Sequence, residues 1–343
     1  MTGKNTRALI LWLDATVVAV TLAVVIGGIT RLTESGLSIT EWKPVSGVLP
    51  PRGDVDWARA FAAFLQIPQA QTVHAGITLA QFKFIYWWEW THRLLARGVG
   101  LVIAVPYVWH LARGHIPSYL RLRLALLPIL VAAQGALGWY MVSSGLVERS
   151  NVSQYRLAAH LGLALVILVI ALWTSASLRR PFAKAEKTDR RWVHIGDGFA
   201  IWIFAVILSG AFVAGLRAGA IYNAFPLMGG QIVPPGYWAL DGFWANAFDN
   251  PVAAQFHHRI VATLTVFVAV GLWFAATLTE APERVVKAQR DVAIIACLQV
   301  ALGITTLLYA VPVAIAALHQ LTAVALLGAA VMAAHTARTA HRR

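Results

Sequence analysis

Long apolar stretches, separated by shorter polar segments, dominate the chain. A helix needs about 20 mostly apolar residues to cross the hydrocarbon core of a bilayer. Eight stretches meet this requirement, at roughly 9–29, 92–112, 122–142, 157–177, 198–217, 257–278, 290–310 and 313–335. Lys4 and Arg7 precede the first stretch as in a signal peptide, but its apolar part is longer and no clear cleavage site follows. The pattern therefore predicts an all-α integral membrane protein with eight transmembrane helices.

The composition supports a membrane environment. Hydrophobic residues make up 59% of the 343 residues, charged residues make up 13%, and the mean hydropathy is +0.66. This balance excludes an ordinary water-soluble domain. The formal net charge of +13 does not indicate a nucleic-acid partner, because the basic residues form short clusters between the apolar stretches. The single cysteine, Cys297, lies inside an apolar stretch, so an intrachain disulfide is excluded.

The basic clusters predict the topology. Lys and Arg are enriched in cytoplasmic connections, and here they occupy every second connection. The clusters are the N-terminus (Lys4, Arg7), the second connection (Arg113, Arg121, Arg123), the fourth (Arg179, Arg180, Lys184, Lys187, Arg190, Arg191), the sixth (Arg284, Lys287, Arg290) and the tail (Arg338, Arg342, Arg343). We therefore predict a multi-pass protein of the cell inner membrane with both termini in the cytoplasm. The outer side then carries two long loops, about 30–91 and 218–256.

The two halves of the chain share landmarks in the same order. The matching segments are Pro44-x-x-Gly47 and Pro226-x-x-Gly229, His92-Arg93 and His258-Arg259, Gln134 to Gly138 and Gln299 to Gly303, and Ala159-His160-Leu161 and Leu318-His319-Gln320. Because each half has an even number of spans, the repeats run parallel about an axis along the membrane normal. We predict two four-helix bundles, residues 1–178 and 198–343, joined by a cytoplasmic linker, 179–197.

Four intramembrane histidines belong to this repeat: His92, His160, His258 and His319. An ionisable side chain inside a span is costly and therefore indicates function. All four fall in the outer half of their predicted helices, and two histidines at similar depth on neighbouring helices can be the axial ligands of one haem iron. A lone membrane histidine is often only an interhelical hydrogen-bond partner, but the repetition disfavours that interpretation. We predict two haem positions, one for each pair.

Other residues near the histidines have two interpretations each. Arg93 and Arg259 directly follow two of the histidines and would meet the propionates of a haem at the interface. Alternatively, they only extend toward the interface, as arginines at helix ends do. Three glycines of the third and seventh spans would let a flat macrocycle approach a helix, or would serve close helix packing. These glycines are Gly135, Gly138 and Gly303.

One carboxylate distinguishes the two halves. The run from Phe82 to Trp90 is typical of an aromatic belt at the membrane interface, but a belt does not explain Glu89. Glu89 precedes His92 by three residues, so both lie on one helical face if the helix begins early enough. The second half has Gln255 at the matching place. The sequence therefore predicts an acid, base or charge stabiliser in the first half and ligands alone in the second.

Several motifs closely resemble the haem A synthase family. They are Gly27 to Ser38, Ile39 to Pro44, Tyr86 to Arg93, Gln134 to Tyr140, Phe225 to Met228, Gln255 to Arg259 and Leu318 to Gln320. The resemblance covers nearly the whole chain and is best to the mitochondrial and alphaproteobacterial branch. Some other bacterial members carry a cysteine pair in the first outer loop. This sequence has none there, so a redox role for such a pair does not apply.

The resemblance implies an oxidoreductase that converts the C8 methyl group of haem O to a formyl group by successive hydroxylations of the monooxygenase type. It implies a haem b cofactor for electron transfer between His258 and His319, and haem O as the substrate between His92 and His160. Glu89 would then be catalytic, together with His92 and His160. The implied partners are a ferredoxin-type electron donor, haem O synthase, assembly factors of terminal oxidases and a second copy of the chain.

Two alternative functions use the same features. A dihaem electron-transfer subunit of a quinone-linked complex would also need four intramembrane histidines, but it needs no carboxylate at one haem only. A haem or solute transporter can also be built from repeats, but it more often has helices broken at the bilayer midplane, which this sequence does not predict. Extraction and chromatography of the bound haems distinguish these functions, because an electron-transfer subunit would contain haem B alone.

Overall fold

The chain is built from long helices. A computed structural model describes residues 3–43, 46–147, 152–179 and 189–341, apart from the side chains of 144–147. Eight helices in this part are long and apolar enough to cross a membrane. They are α1 (Gly3–Leu32), α2 (Leu79–Ala112), α3 (Arg121–Val147), α4 (Gln154–Arg179), α5 (Arg190–Gly215), α6 (Pro251–Leu278), α7 (Glu283–Leu308) and α8 (Val313–His341). The described residues contain no β-strand, and the predicted fold class with eight spans is confirmed.

The predicted start of the second span, residue 92, is wrong. The helix begins 13 residues earlier, at Leu79. α2 starts at Leu79 because Thr78 caps it. The hydroxyl of Thr78 accepts a hydrogen bond from the Gln81 backbone N–H at 3.3 Å, and Gln81 Oε1 accepts one from the Thr78 backbone N–H at 2.9 Å. This reciprocal pair is a capping box. The aromatic run is therefore helical, and the early helix start that places Glu89 on the face of His92 is confirmed.

Both predicted outer loops contain short helices. These are Gly53–Phe64 and Pro68–Thr72 in the first loop and Phe243–Phe248 in the second. An aromatic cluster packs the first of them against the start of α2. The ring centroids of Trp57 and Tyr86 are 5.0 Å apart, and those of Phe64 and Phe82 are 5.1 Å apart. The loop is therefore a packed structure with its own apolar core.

The chain forms two compact units, one made of Met1–Val17 with Leu168–Arg343 and the other of Val18–Ile167. In the first unit α5 packs against α6 and α8, and α7 packs against the same two helices. The contact between α5 and α8 is close, since a Cβ on Gly196 would lie 2.8 Å from Ala334 Cα. Small residues at a helix contact are typical of membrane packing. In the second unit α2 packs on α3.

The sequence repeat also predicts how the eight helices are divided between two bundles. The halves 1–178 and 198–343, the linker 179–197, and their arrangement as two parallel four-helix bundles stay predictions. Pro44, one landmark of the repeat, lies outside the described residues. The same holds for five basic residues of the topology argument, Arg180, Lys184, Lys187, Arg342 and Arg343.

Two ion pairs occupy matching positions in the two halves. Asp14 of α1 pairs with Arg179 at the end of α4, and Asp197 of α5 pairs with Arg338 near the end of α8. Ser175 also donates its hydroxyl hydrogen to Asp14 Oδ1 at 2.6 Å. Each pair joins the first helix of one half to its last helix, at the end where the basic clusters lie. Sequence reasoning identified neither pair.

Candidate functional site

The structure brings His92 of α2 and His160 of α4 together. The two imidazoles lie close enough for a positive charge on one to disfavour a positive charge on the other. Each ring also packs against a glycine of another helix. A Cβ on Gly27 of α1 would lie 2.8 Å from His92 Nε2, and a Cβ on Gly138 of α3 would lie 3.1 Å from His160 Cε1. The two histidines that the sequence pairs are therefore neighbours, each beside backbone that carries no side chain.

His258 of α6 and His319 of α8 repeat this arrangement. They too are within electrostatic range of each other. A Cβ on Gly210 of α5 would lie 3.0 Å from His258 Cε1, and a Cβ on Gly303 of α7 would lie 2.8 Å from His319 Cε1. Both pairs thus consist of histidines from even-numbered helices, and a glycine of the preceding odd-numbered helix flanks each ring.

A glutamine lies beside the second histidine of each pair. Gln134 Nε2 donates to the backbone carbonyl of His160 at 3.0 Å and lies 3.4 Å from the ring atom Nε2 of the same residue. Gln299 Nε2 lies 3.5 Å from His319 Nε2. The Oε1 atoms of both glutamines are buried without a hydrogen-bond partner in the part of the chain that the structure describes. The two amides are therefore further polar groups of the sites, which the sequence revealed only as landmarks of the repeat.

The histidine pairs suit haem iron better than a metal ion held by many side chains. Within the described ranges, no group of three or more His, Cys, Asp or Glu side chains converges, so each position offers two imidazoles. Two axial imidazoles complete an iron whose other four ligands are porphyrin nitrogens. The flanking glycines remove side chains where a flat macrocycle must pass close to the rings. His92 with His160, and His258 with His319, could therefore each hold a haem, and this assignment stays a prediction.

Glu89 is buried, with 2% of its surface exposed, and hydrogen-bond donors surround its carboxylate. The Ser38 hydroxyl and the Ile39 backbone N–H each donate to Oε2 at 2.7 Å. Arg93 donates to Oε1 from Nε at 3.0 Å and from Nη2 at 2.7 Å. Glu89 therefore ties α2 to the segment that follows α1, and it stands about one helical turn from His92.

Arg93 and Arg259 both anchor the segment that follows the preceding helix. Each guanidinium donates to two backbone carbonyls of that segment over 2.5 to 3.0 Å. The acceptors are Ile39 and Glu41 for Arg93, and Tyr222 and Ala224 for Arg259. The structure thus gives both arginines a role in positioning the loop beside the site. The contact with haem propionates stays a prediction.

Gln255 takes the place of Glu89 in the second half. It is 3% exposed, and its Nε2 donates to the carbonyls of Tyr222 at 3.2 Å and Gly219 at 3.4 Å. The amide thus ties α6 to the segment after α5 through neutral hydrogen bonds. Both halves therefore tie the corresponding segment to the helix at this position, but Gln255 donates where Glu89 accepts, and Glu89 adds a charge.

Some residues of the site escaped sequence reasoning. Gly27 and Gly210 face histidine rings, as do Gly138 and Gly303, whereas a Cβ on Gly135 would meet open space. The sequence repeat contained the information needed to predict these two glycines. A comparison of the first span with the fifth would have paired Gly27 with Gly210, because each stands on the helix before a paired histidine.

The chain matches a known protein family over most of its length. Residues 10–331 match the family described as cytochrome oxidase assembly protein. The chain is 43% identical to the heme A synthase of Parvibaculum lavamentivorans, over 97% of this chain and 95% of that protein. It is 46% identical to the heme A synthase of Rhizobium meliloti, over 96% of this chain and 90% of that protein. It is 44% identical to the heme A synthase of Maricaulis maris, over 98% of each chain. The family resemblance predicted from the motifs is confirmed.

Proposed function

The chain belongs to the haem A synthase family, and we propose that it oxidises the C8 methyl group of haem O to a formyl group, giving haem A. Two successive hydroxylations of the methyl carbon give a geminal diol, which loses water to leave the aldehyde. In a hydroxylation of the monooxygenase type, one atom of dioxygen enters the C–H bond, and two electrons from a donor with two protons from water convert the other atom to water. The protein is accordingly a multi-pass membrane oxidoreductase.

We assign haem O to His92 and His160, and haem b to His258 and His319. Haem b, when bound, supplies one-electron transfer. The observation that carries this assignment is the burial of Glu89 one turn from His92, whereas Gln255 stands at the equivalent place before His258. Electron transfer needs ligands alone, but oxidation of a methyl group also needs a group that handles a proton or charge. The half with the carboxylate is therefore the half that suits the substrate.

Glu89 contributes to the reaction in two ways. Its contacts with Ser38 and Ile39 hold the segment after α1 against α2 beside His92, which excludes water from that side of the site. Its negative charge stabilises positive charge that develops at the methyl carbon, or accepts a proton from the substrate. Groups placed in this way contribute about 10²-fold or more to a rate. His92 and His160 would hold the iron of haem O and so place the macrocycle beside the carboxylate.

The substitution Glu89→Gln tests the proposal. It keeps the shape of the side chain but removes the charge, so we expect the conversion of haem O to fall by about 10²-fold while the haem b spectrum persists. A hydroxylated intermediate would accumulate if the second oxidation is the slower step. The measurement is a chromatographic profile of haems extracted from membranes that express the variant.

Ser38→Ala is the matched control. It removes one donor to Glu89 but leaves the charge and the Arg93 ion pair, so most of the activity should remain. Wild-type amounts of haem A in Glu89→Gln would contradict a catalytic role for this residue. A purified wild-type protein that holds haem B alone would instead favour the dihaem electron-transfer subunit.

The proposed location is the cell inner membrane with both termini in the cytoplasm. The basic clusters support it, since Lys and Arg are enriched on that side. A basic cytoplasmic face also suits an acidic electron donor of the ferredoxin type. We further propose haem O synthase, terminal oxidase assembly factors and a second copy of the chain as partners. Reporter fusions after Arg343 and in each long loop test the topology, and a C-terminal reporter that works only outside the cytoplasm contradicts it.

A further inference from the structure

Both histidines of the second pair have a hydrogen-bond acceptor at the ring atom Nδ1. Ser209 Oγ lies 2.8 Å from His258 Nδ1, and its own hydrogen is donated to the carbonyl of Val206 at 2.7 Å. With its hydrogen on that carbonyl, the serine oxygen accepts the hydrogen of Nδ1–H, and the Val206 carbonyl itself is also within hydrogen-bonding reach of the His258 ring. His319 Nδ1 lies 3.1 Å from the carbonyl of Gln299, which is an acceptor only. In both rings the hydrogen is thus on Nδ1, and the lone pair of Nε2 is left for a metal.

The first pair differs at the corresponding positions. His160 Nδ1 is buried without a hydrogen-bond partner among the residues that the structure describes, and the backbone of Gly27 lies against the ring of His92. The residue before Gly27 is Ile26, whereas the residue before Gly210 is Ser209. An isoleucine cannot accept the hydrogen of a ring N–H. The difference between the pairs therefore begins with one residue on the helix that flanks the first histidine.

An acceptor at Nδ1–H changes an imidazole as a metal ligand. It fixes the tautomer and the ring plane, and it increases the electron donation from Nε2. Stronger donation favours ferric over ferrous iron and so lowers the reduction potential of a haem. It also makes loss of the ligand from the iron less favourable. A ring without this support is held less firmly.

We propose that Ser209 is a positioning residue that, together with the Gln299 carbonyl, locks His258 and His319 as permanent axial ligands and lowers the potential of the haem between them. His92 and His160, for which the described residues show no equivalent serine or carbonyl acceptor, form the pair from which one ligand can leave. The inference rests on the proposed function only in naming haem b as the group held. It explains in terms of this chain's own residues why the second pair suits electron transfer and the first suits a substrate.

The test uses the purified full-length protein with its haems bound. Spectroelectrochemical titration of the low-spin haem b band gives its potential in the wild type, Ser209→Ala, Ser209→Thr and Ile26→Ser. We expect Ser209→Ala to raise the ratio of reduced to oxidised haem b at a fixed ambient potential by up to about tenfold, which is about 59 mV for one electron. Ser209→Thr keeps the hydroxyl and should restore the wild-type ratio. Ile26→Ser, in the other half, should leave haem b unchanged.

A second readout measures whether a histidine leaves the iron. Carbon monoxide binds a reduced haem only when an axial position opens, so Ser209→Ala should make haem b more reactive toward it than the wild type. Haem b retained at an unchanged potential in Ser209→Ala would overturn the proposal. Loss of haem b from both the Ala and the Thr variant would overturn it as well, because packing rather than the hydroxyl would then be responsible. Loss from the Ala variant alone supports it.

The potential of haem b and the haem content of the protein can fail independently as tests. If extracted protein contained haem B alone, the synthase assignment would fail, but the potential of the haem at His258 and His319 would still respond to Ser209. If haem O conversion proceeds while Ser209→Ala leaves the potential unchanged, the inference fails and the synthase assignment stands.

Discussion

Each half of the chain anchors the segment after its first helix with an arginine and a second polar side chain, but the charge of that second side chain differs. In the first half Arg93 and the carboxylate of Glu89 hold it, and in the second half Arg259 and the amide of Gln255 hold it. The arginines make matching bonds to backbone carbonyls. The Gln255 amide donates to backbone carbonyls, whereas the Glu89 carboxylate accepts from Ser38 and Ile39, so the first half carries a buried charge and its hydrogen bonds run in the opposite direction. One repeated arrangement of helices therefore presents a charged group beside one histidine pair and a neutral group beside the other.

The largest expected effect concerns the glycines that face the rings. Gly27 and Gly303 make equally close approaches, since a Cβ on either would lie 2.8 Å from a histidine ring atom. Real Cβ atoms do not approach so closely, so Gly27→Ala must displace His92, and Gly303→Ala must displace His319. We expect Gly303→Ala to abolish most of the low-spin haem b signal and Gly27→Ala to spare it while stopping haem A formation.

Gly135→Ala is the matched control for the glycine substitutions, because a Cβ there meets open space. It should retain both the haem b spectrum and haem A formation. Loss of haem b in Gly27→Ala, or full haem b in Gly303→Ala, would show that the two halves do not hold separate groups. Optical spectra and haem extraction from the same preparations decide between these outcomes.

A smaller difference is expected between the two arginines. Arg93→Met leaves the carboxylate of Glu89 buried without its counter-ion, which costs roughly 3–5 kcal/mol. Arg259→Met leaves only carbonyl acceptors unsatisfied, which costs about 1–3 kcal/mol. Thermal unfolding in detergent should therefore give a lower midpoint for Arg93→Met. The double variant Arg93→Met with Glu89→Gln should recover part of the lost stability. Equal unfolding midpoints for the two single arginine variants would contradict this prediction.

The smallest effect is expected where the halves are alike. The Asp14–Arg179 and Asp197–Arg338 pairs are each partly exposed, with side-chain exposures of 28–49%. Partly exposed pairs contribute up to about 1 kcal/mol, so Asp14→Asn and Asp197→Asn should each lower the free energy of unfolding by that amount or less. Unequal losses of unfolding free energy in the two variants would show that the two ion pairs do not contribute equally. Unfolding curves of the two variants, measured side by side, provide the comparison.

The helices and the pairing of histidines were predictable from the sequence because both depend on patterns that repeat. Apolar stretches of spanning length fix the eight helices, and the recurrence of His92 and His160 as His258 and His319 fixes the pairs. The start of α2 was predicted too late, because an aromatic run at an interface is equally compatible with a loop. The capping box at Thr78 and Gln81 carried the missing information.

Other parts of the site could not be predicted because they depend on contacts between distant segments. The donors around Glu89 include Ser38 and a backbone N–H about 50 positions away, and no local pattern links them. Ser209 is similar, since its hydroxyl matters only because His258 lies beside it. The glycines are an intermediate case, because their role follows from the repeat once the first and fifth helices are compared.

The ion pairs at the helix ends have a consequence for how such a chain can be rearranged. Because Asp14 meets Arg179, and Asp197 meets Arg338, the start of the first helix of each half lies beside the end of its last helix. Chains whose ends lie close together tolerate circular permutation. The same geometry makes tandem duplication simple, since a short connector joins the end of one copy to the start of the next.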